Sequence, residues 1–114
     1  MHERELLKGN IQTLILAILD GQPLHGYGIA REIERRSKAG LSFQEGSIYP
    51  ALKALERDGC VVSSWETPAS GPARKVYRIL QRGGGELEKR KATWRELVGS
   101  IDLVLGGNAD VQPV

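Results

Sequence analysis

At Asp58-Gly59 the apolar residues of this chain stop recurring every three or four positions and begin to alternate. That change of period divides the sequence into a helical part and a β part, because helices repeat near 3.6 residues and strands at two. Before the switch, Asn10 is suited to cap a helix in which Ile11, Leu14, Ile15, Ile18 and Leu19 share a face, and Asp20-Gly21-Gln22-Pro23 stops it. Tyr27 to Lys38 predicts a second helix, with Ile29, Ala30 and Ile33 on one side, Arg31, Glu32, Arg35 and Arg36 on the other, and Gly40 closing it. A third follows Ser42: Ile48, Leu52 and Leu55 turn inward, Lys53, Glu56 and Arg57 outward, with Pro50 in or near the first turn, where a missing amide is tolerated. After the switch, Cys60, Val62 and Ser64 alternate with Val61, Ser63 and Trp65. A turn at 67–72 and a second strand from Lys75 to Leu80 complete a hairpin. Gly83-Gly84-Gly85 predicts a flexible joint, and a last helix is expected from about Glu86 to Leu105.

Helix, helix, helix, hairpin, helix is the order of a winged helix-turn-helix followed by one extra helix. The expected fold class is mainly α with a small β-hairpin. Residues 1–82 form the expected DNA-binding domain, 83–105 a dimerisation helix and 106–114 a disordered tail. In such a fold the third helix enters the major groove and the hairpin reaches flanking DNA. The formal charge is only +2, so a nucleic-acid surface has to come from placement of charge rather than its total. From Ser70 to Arg82 there are Arg74, Lys75, Arg78 and Arg82 and no acid. The third helix offers Ser47 and Tyr49, then Lys53 and Arg57, for base edges and phosphates. The plainer reading is a solvated face, since Glu56 interrupts the basic residues. A rival of another class is a winged-helix module that docks a protein. Salt separates the two, because binding through several Lys and Arg weakens steeply as salt rises.

Other chemistries find little to work with. Cys60 is the single cysteine, so no internal disulfide forms, and His2 and His25 with it cannot complete a four-ligand zinc site. No cofactor, metal or catalytic set is expected, and the chain reads as no enzyme. Gly26-Tyr-Gly-Ile-Ala-Arg31 begins like a dinucleotide fingerprint, but it lacks the last glycine and follows a helix rather than a strand. His25 fits a structural hydrogen bond in a turn, and Cys60 a small core residue. Tyr27 suits either a DNA phosphate or packing against the third helix. The longest apolar run, Leu14 to Leu19, is far short of the roughly 20 residues that span a bilayer, and no secretory leader is read at the start. A cytoplasmic protein is expected.

Four segments, in order, resemble the PadR family of bacterial transcriptional regulators. They are Pro23-Leu-His-Gly-Tyr-Gly-Ile29, Gln44-Glu-Gly-Ser-Ile-Tyr-Pro-Ala-Leu52, Leu55-Glu-Arg-Asp-Gly59 and Gly71-Pro-Ala-Arg-Lys-Val-Tyr-Arg-Ile79, within a resemblance spanning about residues 6–105. It implies a winged-helix dimer that represses a promoter until a small ligand binds. Carried over by position, Ser47, Tyr49 and Lys53 correspond to the recognition-helix face and Arg74 and Lys75 to the wing. One departure stands out. The family commonly follows the second strand with Leu-Thr-x-x-Gly, the Thr capping the last helix, whereas this chain has Leu80-Gln-Arg-Gly-Gly84. Loss of that cap costs about 1 kcal/mol.

In the last helix Leu87, Trp94 and Ile101 are spaced by seven, as are Leu97 and Val104, and Val98 and Leu105. A stripe of that period favours a helix–helix seam with a second copy of the chain, formed by Leu87, Trp94, Leu97, Val98, Ile101 and Leu105. Trp94 has two readings. It is an interface anchor, or, as resemblance to the PadR branch with one short C-terminal helix implies, it faces its symmetry mate across a cavity where flat aromatic or cationic molecules stack.

Overall fold

The first helix starts at Glu3, not at Asn10. The computed structural model describes residues 3–107, so the expected tail lies outside the described residues from 108 onward. Helix α1 (Glu3–Leu19) runs through Gly9 and Asn10, because the residues before them are mostly strong helix formers. Two residues, Leu24 and His25, then form a short strand β1 that no alternation announced. Helices α2 (Gly26–Arg36) and α3 (Glu45–Arg57) follow. Pro50 sits in the second turn of α3, deeper than expected. Its missing amide deprives the Gly46 carbonyl of a partner, and Gly46 is exposed, so water can take that place.

The two helices end by the same backbone device built from different residues. At the end of α3 the Cys60 and Gly59 amides bond to the Leu55 and Glu56 carbonyls, with Gly59 at φ 77°. Ending α2, the Ala39 and Lys38 amides bond to Glu34 and Arg35, and Lys38 takes the left-handed conformation at φ 53°. Gly40, expected to close this helix, lies beyond the turn. A lysine there carries the steric cost that Gly59 avoids.

Strands β2 (Val61–Glu66) and β3 (Arg74–Ile79) form the expected hairpin, and β1 adds to it in the order β1-β3-β2, all antiparallel. The core gathers Ile15, Leu16 and Leu19 of α1, Ile29 and Ile33 of α2, Ile48, Leu52 and Leu55 of α3, and Val61 and Tyr77 of the sheet. The chain is thus mainly α with a small sheet, a winged helix-turn-helix with one helix beyond it.

That last helix, α4 (Gln81–Leu105), corrects two expectations. Gly83, Gly84 and Gly85 are not a joint but part of the first turns of an unbroken helix. Gly83 is buried against the start of β2: a Cβ there would overlap the Cys60 carbonyl oxygen and stand 2.9 Å from Ile79 Cγ1. Leu80, whose amide bonds to that same carbonyl at 2.9 Å, turns the chain from β3 directly into the helix. Leu87 is the second correction. It is 1% exposed within this chain and belongs to its core, so it is not available as a seam residue. Arg90 then ties α4 to α1, donating to Glu86 at 2.8 Å and to Gln12 at 3.0 Å. Past this point α4 leaves the body of the protein. The Cα radius of gyration is 16.5 Å, against about 13 Å for a compact chain of this length, and the longest extent is 60 Å. Among the described residues no helix is long and apolar enough to cross a membrane.

Gly83 and Gly84 of α4 should respond to substitution in opposite directions. Gly83→Ala should cost about 3 kcal/mol or more, since backbone rather than a side chain must move. Gly84→Ala meets nothing within 4 Å and should gain up to about 1 kcal/mol through helix propensity. Urea unfolding of the two variants checks the pair. Equal effects would mean that α4 is not seated on Cys60.

Candidate nucleic-acid interface

The inward face of α3 is Ile48, Ala51, Leu52 and Leu55, all buried. At 3.6 residues per turn, Gly46, Pro50, Lys53 and Arg57 therefore point directly away from the core. Lys53 and Arg57 are exposed as expected, and Arg57 lies 3.8 Å from Asp58. Ser47 and Tyr49, two residues apart, stand about 200° apart around the axis and occupy opposite flanks. The structure does not bring them together. Ser47 lines a cavity of about 690 Å³ with Lys8, Ile11, Gln12, Phe43, Gln44, Pro50 and Ala51, between α1 and the start of α3. Tyr49 leans the other way, over the start of α2.

The contact between Tyr49 and α2 is close. A Cβ on Gly26 would lie 2.6 Å from Tyr49 Cζ and its hydroxyl oxygen, so the ring covers a position that has no side chain. Partial burial, followed by the nearby Glu45 carboxylate, pushes the Tyr49 phenol up, and its hydroxyl reaches Glu45 at 3.5 Å. Next along α2, Tyr27 is 49% exposed and does not turn into the core. Arg31, one turn on, donates to the Tyr27 hydroxyl at 2.8 Å, with its guanidinium carbon 5.6 Å from the ring centroid. The hydroxyl accepts that bond and keeps its own proton to donate. Arg31 was missed in the sequence, although the four-residue spacing from Tyr27 was there to be read. His25 lies 6.3 Å from the Tyr27 ring, and burial, then Arg74, pushes its imidazole down.

Further along α2 the charges are internally matched. Glu32 accepts from Arg35 at 2.6 and 3.0 Å and from Arg36 at 3.0 Å, and these bonds hold its carboxyl at about 2. Both arginines are exposed and Glu32 is half-buried, and networks so near the surface contribute modestly to stability.

On the wing, Arg74 and Lys75 are adjacent in sequence but lie on opposite faces of the sheet. Lys75 shares its face with Tyr77 and Ile79, the core-facing side, and pairs in register with Trp65. Arg74 shares the other face with Val76 and Arg78 and pairs with Glu66. Glu66 accepts from Arg78 at 2.8 Å, which offsets one of the four basic residues counted on this segment. On the helix-facing side, the Ser63 hydroxyl donates to Glu56 of α3 at 2.7 Å and fixes the hairpin against that helix.

On α4, Trp94 is 49% exposed and Leu97 51%, and Ile101 and Leu105 are also exposed, while Val98 is half-buried. Trp94 and Leu97 border a crevice of about 370 Å³ that Gly9, Asn10 and Thr13 of α1 close from the other side.

This chain resembles known proteins over most of its length. The model of the transcriptional regulator PadR-like family matches residues 15–89. A transcriptional regulator of Mycobacterium tuberculosis is 31% identical over 106 residues, covering 93% of this chain and 92% of that protein. Among solved structures, a PadR family transcription regulator from Clostridium difficile R20291 superposes with a TM-score of 0.72 at 32% identity, over 85% of this chain and 99% of that one. Bacillus subtilis PadR, solved in complex with operator DNA, gives a TM-score of 0.62 at 26% identity, over 68% of this chain and 44% of that one.

The Gly26–Tyr49 contact predicts coupling. Gly26→Ala should cost about 1 kcal/mol in the wild type, because the ring must swing away, and should be neutral or slightly stabilising in a Tyr49→Ala background. Additive effects on unfolding free energy would show that the two residues do not touch.

Proposed function

This chain belongs to the PadR-like family of transcriptional regulators, and on that premise we propose that it is a homodimeric, DNA-binding repressor of the cytoplasm, released from its operator by a small planar aromatic or cationic molecule. The observation that carries the DNA reading is the outward face of α3, where exposed Lys53 and Arg57 stand beside a wing bearing Lys75. The operator complex of the Bacillus subtilis relative supports the same reading. On the proposed reading, Ser47, Tyr49 and Lys53 of this chain meet base edges and phosphates of the major groove. Arg74 and Lys75 meet flanking phosphates, and Tyr27, held by Arg31, donates its hydroxyl proton to a phosphate oxygen. Residues 1–82, with Gly83 and Leu87 seated on them, carry this work, and the rest of 83–105 the dimerisation. Selection of bound fragments from random duplex DNA tests the proposal directly, and enrichment of no sequence would leave the protein-docking alternative.

Roles divide by chemistry. Lys75→Ala should weaken selected and random duplexes alike and lower the slope of log affinity against log salt by about one. Lys53→Ala should change which sequence is preferred. Filter binding at several salt concentrations measures both, and a reversed pattern would exchange the roles of helix and wing.

The stripe of Trp94, Leu97, Ile101 and Leu105, which a monomer would leave in water, with half-buried Val98 beside it, supports the dimer. Trp94 at the α1–α4 crevice supplies the effector platform. Sedimentation at micromolar concentration should give a dimer. Leu97→Ala with Ile101→Ala should loosen it by about 3 kcal/mol, over a hundredfold. Trp94→Ala should abolish quenching by a planar cationic dye. Loss of the dimer by Trp94→Ala, with no dye signal in the wild type, would leave Trp94 an anchor only.

A further inference from the structure

The wing presents a large apolar side chain that the described residues leave mostly uncovered. Trp65 is 69% exposed, near the end of β2. Along the face of β2 that packs on α3, exposure rises step by step: Val61 is buried, Ser63 is half-buried against Glu56, and Trp65 stands in solvent. The same gradient runs along β3, from buried Tyr77 to exposed Lys75. The sheet face that closes the core at one end thus continues past α3 and emerges as the cross-strand pair Trp65–Lys75. An indole in that position buries little of its surface in the fold it belongs to. It is amphipathic, with a flat apolar body and one N–H donor at its edge.

We propose that Trp65 is a DNA-contacting residue: its indole lies against the sugar edge of the duplex beside the phosphate that Lys75 engages. The inference rests on the DNA-binding reading above and extends it from charge to apolar contact. Three observations choose duplex DNA over another occupant. No acidic residue occurs between Thr67 and Arg82, while Lys75, directly opposite Trp65 on β3, shares its face of the sheet. The Trp65–Lys75 pair is on the same side of the sheet as α3, whose outward face carries Lys53 and Arg57, so the basic residues and the indole can meet one surface. And Glu66, the acid nearest to Trp65 in sequence, is turned to the opposite face and engaged by Arg78. A polyanion with apolar sugar walls matches this combination; a purely apolar protein surface would leave Lys75 buried and unpaired.

The test compares the full-length wild type with Trp65→Phe and Trp65→Ala, using the duplex recovered by selection from random sequence. Trp65→Ala should weaken binding about tenfold, within the range known for one aromatic contact to nucleic acid, while leaving the salt slope unchanged. Trp65→Phe should lose less. On adding the duplex, wild-type emission should shift and become protected from acrylamide, and both changes should be missing in Trp65→Phe, which retains Trp94. Tight binding of the duplex by all three proteins, with Trp65 still open to acrylamide in the complex, would overturn the inference and leave the DNA reading standing. A reduced salt slope in Trp65→Ala would also overturn it, since the residue would then act by placing Lys75. If the wild type recovers no duplex, the functional reading fails first and this inference with it.

Discussion

The Cys60 carbonyl oxygen is the point on which the orientation of the whole chain turns. It accepts the Leu80 amide at 2.9 Å, closing the hairpin, and any side chain at Gly83, in the first turn of α4, would overlap it. Few geometries satisfy both demands. The chain must leave β3 and enter a helix within one residue, and that helix must pass over the start of β2 close enough that no Cβ fits. Leu87, one turn further on, then drops into the core, and Arg90 bonds to α1. The wing, the core and the departing helix are therefore fixed to one another by a backbone contact, not by a flexible hinge.

Electrostatics gives the same molecule two kinds of cation. Arg35 and Arg36 share Glu32, Arg78 has Glu66 and Arg90 has Glu86, and each of these pairs lies within α2, the hairpin or α4. They hold side chains in place at surfaces where ion pairs contribute little to stability. Lys53, on the outward face of α3, and Lys75, on the α3 side of the wing, belong to another class of position: a polyanion can approach both at once. A net charge of +2 conceals this division, because it sums matched and unmatched cations alike.

Much of the fold could be read from local pattern. The change of period at Asp58-Gly59 located the hairpin, and Gly59 does end α3 in the left-handed conformation. The failures have a common cause, which is that a distant contact overrode a local preference. Three glycines have poor helix propensity and read as a joint, but the absence of a Cβ at Gly83 is what allows α4 to sit on Cys60. Leu87 fits the heptad of the stripe, yet it falls at the level where α4 still touches the body, so the core claims it. Asn10 looked like a cap because the apolar period begins after it, although helix-forming residues precede it. In the candidate site, Ser47 and Tyr49 were grouped by nearness in sequence although helical geometry separates them. Arg74 and Lys75 were grouped likewise, and period-two alternation alone could have parted them.

The length of α4 carries a mechanical consequence. Twenty-five residues make a rod of about 38 Å, clamped at one end by Gly83, Leu87 and Arg90. A clamped rod is a lever, and levers trade angle for distance. A tilt of about 5° at the seat sweeps the free end through about 3 Å, close to the rise of one base-pair step. In the dimer proposed above, a molecule at Trp94 would sit part-way along this lever, and a small change of angle would put the two wings out of step with the helical repeat of a duplex. Gearing of that kind works only if the clamp does not slip, and a backbone-to-backbone seat at Gly83 has very little slack.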